Sequence, residues 1–208
     1  LIALLRSDAL FPSRLQPELD EVSAYLFYKL NAYDSAAYYL IRTLKKGNDQ
    51  QDKARWYFLA AQLYEKAGRN TDAIKNFAAA IRFATDPFME VYARLNIAAL
   101  ATGEKDNALQ ENLNELLKMA KKDKYDVYRD IIYYAAAKLE LSRKSYPAAQ
   151  QWLLKSVAYS NDNPVQKQKS FLLLGDLNYD RKEYSQSFRF YDSVEVRLLP
   201  EEEQKKFI

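Results

Sequence analysis

The sequence predicts an all-α fold, a solenoid of about five stacked helical hairpins, and three observations carry that prediction. Apolar residues recur at three- and four-residue spacing in segments of about 12 to 18 residues, and no segment alternates as a strand does. Glycine and proline are scarce, 4 and 6 in 208 residues, and three of the glycines and four of the prolines fall at the boundaries of those segments. A small residue returns near the start of every second segment, at Ala36, Ala73, Ala108, Ala149 and Ser187, with intervals of 37, 35, 41 and 38 residues.

Along the chain, Leu1 to Leu5 is apolar without a basic region before it or a cleavage site after it. It reads as the last turn of a preceding helix in a longer parent protein. Hairpins are then expected at about 18–46, 52–84, 87–121, 125–159 and 163–195. Gly47, Gly68 and Gly103 each follow a helix-forming run and read as helix stops. Pro87, Pro147, Pro164 and Pro200 stand where helices begin, a position at which the missing N–H has no intrahelical partner to lose. Asp123 and Asp126 read as helix-start caps and the cluster Lys118, Lys121, Lys122 and Lys124 as a solvated helix end favoured by the helix dipole. The third hairpin fits worst, because Asn96 and Asn112 fall where a small and a bulky apolar residue are expected, and Lys206-Phe207-Ile208 looks like a helix cut short.

The residue pattern resembles the tetratricopeptide repeat, whose period of about 34 residues is slightly shorter. Ala61, Tyr64, Ala73, Phe77 and Ala80 fill its small and aromatic positions in the second hairpin, as Phe171, Leu174, Gly175, Ser187, Tyr191 and Val194 do in the fifth. Ala24, Phe27, Ala36 and Leu40 in the first, and Tyr133, Ala136, Ala137, Ala149 and Leu153 in the fourth, match less fully. Small residues let two helices approach closely and an aromatic ring one turn away fills the space beside them. A single hairpin cannot bury its apolar face, so stacking supplies the stability. The whole of 1–208 is therefore expected to form one solenoid.

Composition excludes several function classes. There is no cysteine and no histidine, so disulfides, Cys/His zinc sites, thiol nucleophiles and imidazole bases are absent. No glycine run cradles a phosphate and no nucleophile elbow appears. Asp176 and Asp180, one helical turn apart, read as a solvated or partner-facing edge rather than an acid/base pair. A formal charge of +3 is too small to attract nucleic acid or a membrane surface, and no run approaches the roughly 18 apolar residues of a membrane span. The 17 tyrosines and 10 phenylalanines sit mostly at core spacing and do not interleave with basic residues, so base stacking is not expected. The expected activity is non-catalytic binding of other proteins, with no cofactor, no metal and no nucleic acid.

The tetratricopeptide resemblance implies that the first helix of each hairpin lines the binding wall. Carried onto this sequence, that wall comprises Tyr25, Tyr28 and Lys29; Arg55, Phe58 and Gln62; Tyr134 and Lys138; and Lys169, Leu172, Asp176 and Tyr179. The lysine and asparagine set by which chaperone-binding members clamp a terminal carboxylate is not complete here.

Several segments also resemble the tetratricopeptide lipoprotein of the Bacteroidota type IX secretion and gliding machinery, the PorW/SprE family. They are Lys53-Ala54-Arg55-Trp56-Tyr57-Phe58-Leu59 with Gln62-Leu63-Tyr64-Glu65; Pro87-Phe88-Met89-Glu90 with Ala93-Arg94; Gln166-Lys167 with Ser170-Phe171-Leu172-Leu173-Leu174-Gly175-Asp176; and Phe190-Tyr191-Asp192-Ser193. The resemblance implies a lipid anchor elsewhere in the protein and residence on the periplasmic face of the outer membrane. It also implies a bridging role between motor and ring components and the translocon. The alternative expectation is a tetratricopeptide sensor or regulatory module of a kinase or transcription regulator, binding a peptide or mediating dimerisation.

Overall fold

The computed structural model describes residues 1–44, 49–101 and 106–205. All regular structure among them is helical: α1 (Ile2–Ser7), α2 (Gln16–Lys29), α3 (Tyr33–Arg42), α4 (Gln50–Lys66), α5 (Asn70–Phe83), α6 (Pro87–Leu100), α7 (Asp106–Ala120), α8 (Arg129–Ser142), α9 (Tyr146–Tyr159), α10 (Pro164–Asp180), α11 (Tyr184–Asp192) and α12 (Glu201–Gln204), with short 3-10 turns between some of them. The chain divides into two compact units, Leu1–Leu100 and Ala101–Ile208. In the first, α2 pairs with α3 and α4 with α5, while α3 packs on α4 and α5 on α6. In the second, α8 pairs with α9 and α10 with α11, α9 packs on α10, and α7 packs on α8. Hairpins thus stack through the contacts of α3 with α4 and of α9 with α10, which is how tetratricopeptide-type repeats bury their faces.

Four hairpin turns share one construction. Asn31, Gly68, Lys144 and Lys182 take left-handed backbone conformations, with φ of 57°, 72°, 58° and 62°. The following N–H, of Ala32, Arg69, Ser145 or Glu183, donates to the carbonyl five residues back, closing the helix with a Schellman motif. The same residue's carbonyl then accepts from Ala36, Ala73, Ala149 or Ser187, at 2.9 to 3.0 Å, starting the next helix. The recurring small residue therefore sits one turn into every second helix, where the crossing is tightest, and all four are buried. A β-carbon in the left-handed region costs about 1–2 kcal/mol. Lys182→Gly should accordingly raise stability by about 0.5–1 kcal/mol in urea titration, and Gly68→Ala, whose surroundings are open, should lower it by a similar amount. Equal midpoints for parent and both variants would contradict the assignment.

The helix stop expected at Gly68 is present, whereas those expected at Gly47 and Gly103, and the end at Lys206–Ile208, lie outside the described residues. Pro87 and Pro164 open α6 and α10, Pro147 is the second residue of α9, and Pro200 immediately precedes α12. Asp123 and Asp126 do not cap a helix as expected. Both instead pair with Arg129, whose guanidinium also donates to the Ala120 carbonyl and so ties the 3-10 turn to the end of α7. The lysines of that turn, Lys118, Lys121, Lys122 and Lys124, are exposed.

The two helices expected as a third hairpin fall one in each unit. Asn96 and Asn112 each bond back to the carbonyl four residues earlier in their own helix, and burial passes to neighbours, to Ala93 and Ile97 in α6 and to Leu109 and Leu113 in α7. Ala108 is only half-buried, one position away from Leu109 in the core.

In the fifth hairpin Gly175 has a steric reason. A β-carbon there would lie 2.4 Å from the Tyr191 ring, while the Tyr191 hydroxyl donates to Asp176 and the Ser187 hydroxyl to the Gly175 carbonyl. The polar seam between α8, α9 and α10 is also closed: Ser156 donates to the Asp130 carbonyl and meets Ser170 at 2.8 Å, and Asn163 donates to the Asp130 carboxylate. Burial pushes that carboxyl above its ordinary range.

Candidate functional site: an apolar groove on the first unit

Helix α2 carries two apolar stripes. One, with Leu19, Ala24 and Phe27, faces α3. The other leaves Val22, Tyr25, Leu26 and Tyr28 in contact with solvent. Helix α4 is apolar through its middle: Ala60, Ala61 and Tyr64 enter the hairpin core, and Trp56, Leu59 and Leu63 form a further stripe at i, i+3 and i+7. Two apolar stripes on one helix are more than a single neighbour covers.

Between these stripes lies a cavity of about 340 Å³. Glu21, Tyr25 and Tyr28 of α2 form one side and Trp56, Leu59 and Leu63 of α4 the other, over a floor of Ala24 and Leu40. Its rim is open, since Tyr25 is 62% exposed, Tyr28 48% and Leu59 44%. Among the described residues, Glu21 is the only charged side chain in the lining. Lys29 lies over the Tyr25 ring at 5.3 Å, which leaves the ring presented to solvent beside a cation. The chemistry of the groove is that of a receptor for apolar side chains, with tyrosine hydroxyls and one carboxylate at the rim to orient them.

Of the residues expected on the first unit's wall, Tyr25 and Tyr28 line this groove and Lys29 flanks it, but the α4 register is corrected by one residue. Arg55 and Gln62 are exposed outside the lining, and Phe58 turns into the hairpin core, edge-on to Phe77 at 5.2 Å. The groove takes 56, 59 and 63 instead of 55, 58 and 62, a step of about 100° round the helix. Trp56 and Leu59 were therefore missed. The i, i+3, i+7 spacing of Trp56, Leu59 and Leu63 is visible in the sequence, but so is that of the core stripe beside it.

On the second unit the expected residues do not form an open wall. Leu172 is buried, 6% exposed, and not available to a partner. Tyr134 is half-buried against the cluster of Ala137, Leu153 and Leu174. Burial, with smaller contributions from Glu203 and Asp176, pushes its phenol up to about 12. Lys169 pairs with Glu203 at 3.8 Å, and Asp176 accepts from Tyr191. Lys138 is exposed, as is Tyr179, whose ring stands edge-on to Tyr184 at 5.5 Å. Among the described residues no group of three acidic side chains converges as a metal site would, and no helix is long and apolar enough to cross a membrane.

No family model and no curated protein matches the chain. Solved structures share its fold. The apo form of RapI matches with a TM-score of 0.73 at 14% identity over 92% of this chain. A Rap protein complexed with Competence and Sporulation Factor matches with a TM-score of 0.61 at 16% identity, again over 92% of this chain. This chain spans 56% of the length of each of those two Rap structures. BtubC (BKLC) from P. vanneervenii matches with a TM-score of 0.57 at 16% identity, over 92% of this chain and 84% of its own. At such identities the similarity is one of fold, that of tetratricopeptide-like helical repeats.

Proposed function

We propose that this chain is a non-catalytic protein-interaction module whose first unit receives an apolar segment of a partner protein in the groove between α2 and α4. The observation that carries the reading is the open apolar cavity with Tyr25, Tyr28 and Leu59 exposed at its rim. Aromatic anchors are the usual energetic centres of interfaces, and these side chains leave much of their apolar surface facing water.

The partner set suggested by the sequence segments akin to the PorW/SprE family is that of a secretion or gliding machine in the cell envelope, on the periplasmic face of the outer membrane, with this chain as a bridge between motor and ring components and the translocon. A sensor or regulatory module is the second reading, favoured by the fold shared with a Rap protein complexed with Competence and Sporulation Factor.

A photoreactive amino acid at position 25 or 59 of the full-length protein should give partner adducts in cells, while one at exposed Lys75 on α5 should give none. Identification of the adducts separates the two partner sets. With the partner in hand, Tyr25→Ala combined with Leu59→Ala should weaken binding at least 10-fold, about 1.4 kcal/mol, with the helical signal unchanged. Equal adduct yields at all three positions would remove the groove from consideration.

A further inference from the structure

Part of the wall that the second unit was expected to offer, the stretch around Lys169, is covered by the chain itself. After α11 the backbone turns at Ser193 and runs back along α10. The Glu195 N–H donates to the Gln168 side-chain carbonyl at 2.9 Å, and the 3-10 turn Val196–Leu198 packs on the same helix. Leu199 is 3% exposed although it belongs to neither a hairpin nor a regular helix. Pro200 and the acidic run Glu201, Glu202 and Glu203 follow, with Glu203 against Lys169 of α10, and the Gln204 amide closes back on the Leu199 carbonyl at 2.6 Å. Glu203 also lies near enough to Tyr134 of α8 to add to the burial that holds its phenol up. The segment closes its own short turns, with the Leu198 N–H donating to Glu195, Leu199 to Val196, and Glu203 and Gln204 to Pro200, and its ties to α10 are the Gln168 amide, the turn at Val196–Leu198 and one half-exposed ion pair.

We propose that residues 194–204 are a displaceable strap over a second docking face on α8 and α10, and that this face takes acidic segments of partner proteins that carry an aliphatic anchor ahead of the acidic run. The strap's own chemistry defines the ligand: Leu199 in the apolar position, proline to stiffen the chain, then an acidic run whose Glu203 reaches Lys169. The face offers the complementary groups, with Lys169 half-buried on α10 and Lys138 exposed on α8, while the nearby Asp176 carboxylate is already engaged by the Tyr191 hydroxyl. A partner segment binds only when the strap lifts, so its apparent affinity is reduced by the fraction of time the face is covered. This face belongs to a different unit from the α2–α4 groove, and neither depends on the other.

The test uses a fluorescein-labelled peptide with the sequence of residues 194–204 and the full chain. The parent protein should bind it at least 10-fold more weakly than a Leu199→Asp variant, in which the strap is released. Adding Lys169→Glu to that variant should weaken binding severalfold, the scale of a part-exposed ion pair, and a peptide carrying Glu203→Lys should recover the loss. A Leu199→Asp variant with parental helicity that binds no peptide would overturn the proposal and leave the segment a structural end of the fold. If that variant does not fold, hydrogen exchange of the parent decides. The amides of Glu195, Leu198 and Leu199 should open well before those of α10, and exchange in step with α10 would equally overturn it.

Discussion

Phe77→Ala should destabilise the first unit by about 3–5 kcal/mol, the range for emptying a fully buried aromatic site. Phe77 is 0% exposed at the centre of a core built from Ala24, Ala36, Ala61, Ala73 and Ala80. Its ring meets Phe58 edge-on, an arrangement that adds to the area it buries. The alanines around it have no further side chain with which to fill a cavity, and the helices on both sides are held by the hairpin turns, so the site relaxes little. That loss is a large part of the usual 5–15 kcal/mol margin of a domain. Urea denaturation reads it directly. Phe188→Ala on α11, where the ring is largely exposed, is the control and should change little. A loss below about 1 kcal/mol at Phe77 would mean that this ring is not the centre of the hairpin packing.

Asp20→Ala should cost about 3 kcal/mol and free the first helix. Asp20 is 0% exposed on α2, and its two oxygens accept from Arg6 at 2.6 Å, Gln16 at 3.2 Å and Arg42 at 3.1 Å. Arg6 also donates to Ser23 and lies 4.2 Å from the centre of the Tyr39 ring. One carboxylate thus ties α1 and α3 to α2. Deleting one partner of a buried ion pair costs about 3–5 kcal/mol because the remaining charge is stranded. Here both arginines keep some contact with water, with side chains 22% and 41% exposed, which moves the expectation towards the lower end. The loss should persist at 1 M salt, since the carboxylate is out of reach of solvent ions. Asp20→Asn, which keeps an acceptor, should lose less. Hydrogen exchange should show α1 amides unprotected in Asp20→Ala while those of α5 remain slow. Unchanged protection of α1 would show that apolar contacts, and not this carboxylate, hold it.

These two residues differ in how far the sequence announces them. Phe77 stands between Ala73 and Ala80, and that spacing marks a tightly packed hairpin before any coordinates are known. Asp20 looks like one more polar residue near a helix start, and its partners lie 14 and 22 residues away, on two other helices. The hairpin turns show the same division. Gly68 is readable as a stop, because glycine prefers the left-handed region, whereas Lys144 and Lys182 occupy the same conformation against their preference and are imposed by the helices they join. The groove lining on α4, Trp56, Leu59 and Leu63, lies one residue beyond the expected Arg55, Phe58 and Gln62, because helical spacing fits either stripe and does not say which neighbour covers it.

The sequence by itself determined the all-helical character of the chain and the small positions where four of its hairpins cross. Those follow from local rules: backbone groups must be satisfied within each helix, and side-chain volume decides how closely two helices approach. Only the tertiary structure decided which apolar surface stays open. It left Trp56 and Leu59 facing a groove, turned Phe58 inward, and covered the α10 face with the chain's own acidic segment, because exposure depends on which neighbour arrives and not on the residue alone.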